Sequence, residues 1–179
     1  MTPSFLLSLL PPPELSARLG NFRDRHGIRD AAAVPHITVK ARSGLDGSAG
    51  EVARAVASGQ APVRVEVGGP RLFPKGSALY LTVHSPEAIR LHLALLDALK
   101  PPRRFGYEGP QMTPHLTLAL ARRGVDLPEL LTDAEREFAD LKGTPFVFTA
   151  RTLTLMEKPG PGGVYIPVAE WPLSGGVSD

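Results

Sequence analysis

Pro35-His36-Ile37-Thr38-Val39 occurs again, further along the chain, as Pro114-His115-Leu116-Thr117-Leu118. In each copy apolar and polar residues alternate, the pattern of a short strand with one buried face. Residues i and i+2 of a strand share a face. His36 therefore stands beside Thr38 and His115 beside Thr117, while Ile37, Val39, Leu116 and Leu118 turn the other way. A single His-x-Thr means little, since a His and a Thr on the wet side of a half-buried strand are ordinary. Two copies with matching surroundings carry more weight.

The surroundings do match. Leu9-Leu10-Pro11-Pro12-Pro13-Glu14 lines up with Thr82-Val83-His84-Ser85-Pro86-Glu87, and Ala61-Pro62-Val63 with Thr144-Pro145-Phe146. Each half runs strand, helix, His-x-Thr strand, helix, strand. Strands are expected over 5–10, 63–67, 79–83, 145–149, 152–157 and 164–168, and helices over 14–22, 51–58, 88–99 and 127–141. Gly68-Gly69-Pro70 reads as a turn, and Pro159-Gly160-Pro161-Gly162-Gly163 as a hairpin. Such a duplication predicts a pseudo-two-fold molecule. The chain is expected to be one bilobal domain, 1–179, with repeats of about 1–75 and 76–179. The two motif strands would meet near the axis, their polar faces lining one cleft.

Composition removes several classes of function. The chain has 179 residues, 42% hydrophobic and 21% charged, which suits a soluble globular protein. No apolar run is long enough to cross a membrane. Met1-Thr2-Pro3-Ser4-Phe5 lacks the charged segment of a signal peptide, so a cytoplasmic monomer is the expectation. There are no cysteines, hence no disulfide, no thiolate nucleophile and no cysteine-ligated zinc. A net charge of +2 is too small for wholesale duplex binding. Asp133, Glu135, Glu137 and Asp140 read as a solvated helix face.

Two facing imidazoles titrate near neutral pH, so one can take a proton while the other gives one. Two threonine hydroxyls beside them can hydrogen-bond a non-bridging oxygen without adding charge. This chemistry suits a phosphodiester and needs no metal or other cofactor.

The duplicated Pro-His-hydrophobic-Thr-hydrophobic pattern resembles the two-histidine (2H) phosphoesterase superfamily. That group includes the 2′-5′ RNA ligase-like proteins and RNA 2′,3′-cyclic phosphodiesterases. Leu72-Phe73-Pro74 before Leu79-Tyr80-Leu81 looks like its mid-chain crossover, and Tyr165 to Leu173 like its closing strand. The resemblance implies an α+β fold, with antiparallel sheets around a central groove and helices outside. It implies His36 and His115 as catalytic residues and Thr38 and Thr117 as phosphate-binding residues. The substrate class it implies is RNA or nucleotide ends with a 2′,3′-cyclic phosphate, or a 2′-5′ linkage. Lys40-Ala41-Arg42 follows the first motif, where many bacterial members carry Phe-Leu-Gly; this is similar to a branch with a Lys there.

Further contacts are candidates with two readings each. Lys40 falls on the His36/Thr38 face by alternation, and with Arg42 it can steer a phosphate or simply be solvated. Arg122 and Arg123 follow the second motif with the same ambiguity. Phe105, Tyr107 and Tyr165 can stack on a nucleobase or pack. His84 can border the groove, while His26 and His92 read as surface residues. Trp171 reads as an anchor for the C-terminal segment. Rival readings are a phosphodiesterase for a small cyclic phosphate of the ADP-ribose type, and a non-catalytic RNA- or nucleotide-binding module. A metallohydrolase is weaker, because no Asp or Glu lies near either motif.

Overall fold

The computed structural model describes residues 2–29 and 32–176. Residues 30–31, within the connector before the first motif, lie outside the described residues. The elements are β1 (Ser4–Leu9), α1 (Pro13–Arg25), β2 (Ile37–Lys40), α2 (Ala49–Ser58), β3 (Val63–Leu72), β4 (Ala78–His84), α3 (Pro86–Leu99), β5 (His115–Leu120), α4 (Leu127–Glu137), α5 (Asp140–Gly143), β6 (Phe146–Ala150), β7 (Thr152–Lys158) and β8 (Ile166–Pro172). They build an α+β fold of two four-stranded sheets, ordered β2-β1-β7-β8 and β5-β4-β3-β6. Neighbouring strands are antiparallel throughout. The two motif strands, β2 and β5, are the edge strands of their sheets.

The internal repeat is visible in the strand register. Val65 and Phe148, matched by the repeat, are direct partners between β3 and β6. A pseudo-two-fold axis therefore passes through this pair. Beyond it the strands part. β3 runs on to pair with β4, and β6 continues past Arg151 into β7, which pairs with β1. Each sheet thus contains strands from both repeats, and the sheets do not divide where the repeats do.

The aliphatic faces of the motifs make the core. Ile37, Val39, Leu116 and Leu118 are fully buried, in one cluster with Leu7, Leu9, Val65 and Leu81. Burying each such side chain is worth roughly 1.5–3 kcal/mol. The helices begin on clear signals. Ser85 accepts from the Ala88 amide at 3.1 Å ahead of Pro86, and Asp126 accepts from the Glu129 amide at 3.1 Å ahead of Pro128. Caps of this kind contribute about 1 kcal/mol. Ser85 Oγ also donates to the Arg64 carbonyl at 2.6 Å, which fixes α3 to β3.

Two expectations change. Gly68-Gly69-Pro70 is not a turn; β3 passes through it with a register shift between Val67 and Pro70. This is where β3 swings toward β4, and a Cβ on Gly68 would stand 2.5 Å from Thr82 Oγ1. The helix expected over 127–141 is broken into α4 and α5 around Phe138. Phe138 is fully buried against Phe22, its ring centroid 5.7 Å away, on the inward stripe it shares with Leu127, Ala134 and Leu141.

Candidate active site

Both motif histidines are held by one local device. His36 Nδ1 lies 3.1 Å from the Val34 carbonyl, and His115 Nδ1 lies 3.0 Å from the Thr113 carbonyl. A carbonyl only accepts, so each Nδ1 carries the hydrogen, and the lone pair of the neutral ring sits on Nε2. The intervening Pro35 and Pro114 hold the preceding residue in extended backbone, which aims its carbonyl at the ring. The Pro of each motif therefore helps fix a tautomer.

His115 stands in an aromatic corner. Phe73 meets it edge-on at 4.9 Å and Tyr80 at 5.6 Å, and these two rings stack on each other at 4.2 Å. Burial there holds the His115 pKa below the ordinary imidazole value, opposed by its bond to Thr113. The neutral ring, which can accept a proton, is the resting form at neutral pH.

A groove of about 620 Å³ brings Thr38, His115, Arg42, Tyr107 and Tyr165 together, with Phe105 between Arg42 and Tyr107. The Phe105 and Tyr107 rings are parallel to within 7° at 5.2 Å, and the Arg42 guanidinium lies 5.8 Å from the Phe105 centroid. Tyr165 is pinned by a 2.6 Å bond between its hydroxyl and Ser4 Oγ, and Lys158 Nζ lies 5.8 Å over its ring. His36 and Thr117, both half-buried, are not part of this wall, although β2 and β5 come into direct contact.

Three residues do not lie where the sequence places them. Lys40 does not face the groove. A register shift between Leu7 and Ser8 makes Leu7 the partner of Lys40 and Ser8 the partner of Thr38, so Val39 is bulged and the alternation resets. Lys40 is fully buried, its ammonium 2.8 Å from Glu108 Oε2 and bonded to the Ala41 and Ser43 carbonyls. Arg122 lines a separate depression of about 450 Å³ with Arg123, Arg29, His26 and Asp133. His92 is not a surface residue; it is 1% exposed. His84 is exposed, at the end of β4.

Sequence reasoning overlooked a set of buried polar supports. His92 on α3 bonds the Val39 carbonyl at 2.6 Å and accepts from the Gly109 amide at 2.9 Å. Arg23 on α1 donates to the Thr117 and Leu118 carbonyls. The apolar spacing of each helix was the available signal, because both residues fall on its inward side. Among the described residues no group of three His, Asp or Glu is placed to hold a metal ion.

A family model, the 2′-5′ RNA ligase superfamily, matches residues 11–161. Solved structures share the fold at low identity. TT0787 of Thermus thermophilus is 19% identical, with 97% of this chain and 100% of that chain covered and a TM-score of 0.64. E. coli LigT complexed with 3′-AMP is 16% identical, with 97% and 99% covered and a TM-score of 0.64. LigT complexed with phosphate is 18% identical over the same shares, with a TM-score of 0.63. No curated protein matches in sequence.

Proposed function

This chain belongs to the 2′-5′ RNA ligase superfamily, and from that premise we propose that it is a metal-independent phosphoesterase acting on RNA or nucleotide 2′,3′-cyclic phosphate ends. The observation that carries the reading is the identical seating of the two motif imidazoles, each with Nδ1–H on the carbonyl two residues before it. With Nδ1 so occupied, Nε2 is the nitrogen that exchanges protons in both rings, and transfer in opposite directions needs one of them bare and the other protonated.

In the proposed reaction Thr38 and Thr117 donate to the non-bridging oxygens of the phosphate. One neutral imidazole takes a proton from water as its oxygen attacks phosphorus. The bond from phosphorus to one ribose oxygen breaks, and the second imidazole, protonated, gives that oxygen its hydrogen. The lowered pKa of His115 suits the accepting role. With a ribose 5′-hydroxyl in place of water, the same displacement joins ends through a 2′-5′ bond, the 3′ oxygen leaving with the proton of the second imidazole. Arg42, Tyr107 and Tyr165 are the proposed substrate contacts at the groove wall. The 3′-AMP complexed with E. coli LigT, which shares this fold, supports a nucleotide-sized ligand here. We read residues 1–179 as one bilobal domain acting as a cytoplasmic monomer. No described helix is long and apolar enough to cross a membrane.

A second reading, a phosphodiesterase for a small cyclic phosphate of the ADP-ribose type, stands beside it, because Lys40-Ala41-Arg42 replaces the Phe-Leu-Gly that many bacterial RNA ligase-like members carry after the first motif. The test is turnover of a panel of 2′,3′-cyclic nucleotides, oligonucleotide ends and ADP-ribose cyclic phosphate, with chelator present. Cyclic nucleotides or oligonucleotide ends opened with chelator present support the first reading. Turnover of the ADP-ribose compound alone supports the second, and none in any arm overturns both.

A further inference from the structure

The connector between α3 and β5 is a self-braced loop. Phe105 N–H donates to Glu108 Oε1 at 2.9 Å, and Glu108 N–H returns to the Phe105 carbonyl at 2.9 Å. Gln111 Nε2 donates to the Gly106 and Glu108 carbonyls at 3.0 and 2.9 Å. The loop carries Phe105 and Tyr107, then leads through Met112 and Thr113 to His115. Its internal bonds hold it together, and its place beside the first motif strand is set by what fastens it there.

Two buried anchors fasten it to the first motif strand. One is the Lys40–Glu108 ion pair. The other is His92. Its Nε2 accepts from Gly109 N–H, so its Nδ1 must carry the hydrogen that goes to the Val39 carbonyl. Only the neutral ring can make both bonds. Gly109 has φ +126°, and a Cβ there would lie 2.8 Å from Gln111 Oε1, so the amide is presented by a backbone suited to glycine.

We propose that His92 is a positioning residue for this site: its neutral imidazole clamps the wall that carries Phe105 and Tyr107 onto the strand that carries Thr38, and its protonation unlatches that wall. A proton on Nε2 sets two donors against each other at Gly109. Burial disfavours that proton, as do the Lys40 and Arg104 charges, while the Val39 carbonyl and the Glu108 carboxylate favour it. The clamp is therefore closed at neutral pH. The other elements packed on α3 are α2 and β3, whose buried side chains are apolar: Ala49, Ala53 and Ala57 from α2 and Val63, Val65 and Val67 from β3.

The inference rests on the phosphoesterase reading only in its kinetic arm. The test measures the protection factor of the Gly109 amide by hydrogen exchange, together with kcat and KM on 2′,3′-cyclic AMP across pH. Wild type, His92→Gln and His92→Phe are compared. Glutamine keeps a donor and an acceptor but does not titrate. In wild type, acidification below the ordinary imidazole range is expected to lower Gly109 protection and raise KM together. His92→Phe removes both bonds and is expected to lower Gly109 protection and raise KM by at least about tenfold at neutral pH, tenfold being the scale of one lost hydrogen bond, with kcat within about threefold. His92→Gln keeps the protection and lacks the acid rise in KM. Unchanged Gly109 exchange in His92→Phe overturns the proposal, as does a kcat loss equal to the KM rise. An acid rise in KM that persists in His92→Gln also overturns it. If His92→Phe does not fold, wild type against His92→Gln decides. If wild type turns over no cyclic phosphate, the phosphoesterase reading fails, and the exchange measurements still decide this one.

Discussion

Val39 and Leu118 hold equivalent places in the two repeats, and the carbonyl of each is taken by a buried side chain from the helix of the opposite repeat. His92 on α3 bonds Val39 at 2.6 Å, and Arg23 on α1 donates to Leu118 at 3.4 Å and to the adjacent Thr117. Both motif strands are sheet edges, and an edge leaves carbonyls and amides without ladder partners. The helices cover the outer edges one residue from each threonine. Catalytic strand and supporting helix are thus exchanged between the repeats.

The histidine pair gives the first prediction. His36→Ala and His115→Ala each lose most of the turnover, and the double variant is little worse than either, because residues acting as a unit are not additive. His84→Ala, exposed at the end of β4, stays active. The log of kcat/KM against pH is a bell whose limbs belong to the coupled pair. Its acid limb lies below the ordinary imidazole value, since burial lowers the His115 pKa. An acid limb above that value would contradict the assignment of His115 as the accepting ring.

The hydroxyls give the second. Thr38→Val and Thr117→Val keep the β-branch and remove one hydrogen bond to a charged oxygen. Each variant is expected to lose about 1–3 kcal/mol of transition-state binding, read from kcat/KM, with an unchanged melting curve. Wild-type rates in both would make the threonines strand formers only.

Metal removal gives the third. Two imidazoles and two hydroxyls already supply proton transfer and phosphate binding, so turnover is expected to be undiminished in excess EDTA. Activity lost in chelator and restored by zinc or manganese would sink the scheme.

The buried ion pair gives the fourth. The Lys40 and Glu108 side chains are 0% and 1% exposed. Removing one partner, as in Lys40→Met or Glu108→Leu, strands the other charge and costs about 3–5 kcal/mol in denaturant unfolding. The double variant is expected to be more stable than either single one. Additive losses would show that the two charges do not depend on each other.

Acid stability gives the fifth. His92 and His115 have pKa values lowered in the folded state, both chiefly by burial. Below the ordinary imidazole value of about 6.5 the unfolded chain binds more protons than the folded one, so stability is full above that pH and falls as pH drops below it. Unfolding midpoints measured from pH 7.5 to 5 check this, and the fall is smaller in His92→Gln.

Much of this was legible in the sequence. Alternation in the two motifs, the Val63–Val67 run and the Ser85-Pro86 helix start each depend on neighbours a few residues away, and each was read correctly. The two-lobed fold followed from the repeat and the family resemblance. Lys40 was misplaced because alternation assumes an unbroken pleat, and one bulged residue at Val39 is enough to turn it inward. His92 was misread as a surface residue although the apolar spacing of α3 puts it inward; its role as a bridge was not legible, because its partners, Val39 and Gly109, are remote in sequence. Glu108 was overlooked for the same reason, being a lone acid in a Pro- and Gly-rich connector.

The crossing of β3 and β6–β7 shows what one repeat lacks. Cut at the turn between β3 and β4, the first piece would keep β1 and β2 but would offer β3 to a sheet it does not own. The second piece would do the same with β7. Each is a swapped half, complete only in company. Two repeats on one chain make that company permanent: residues 73–77 act as a short tether, and assembly becomes unimolecular, however dilute the protein. The tether also releases the two motifs from identity. A pair of identical copies would have to grip both strand edges with the same residue, whereas this chain grips one with a guanidinium and the other with an imidazole.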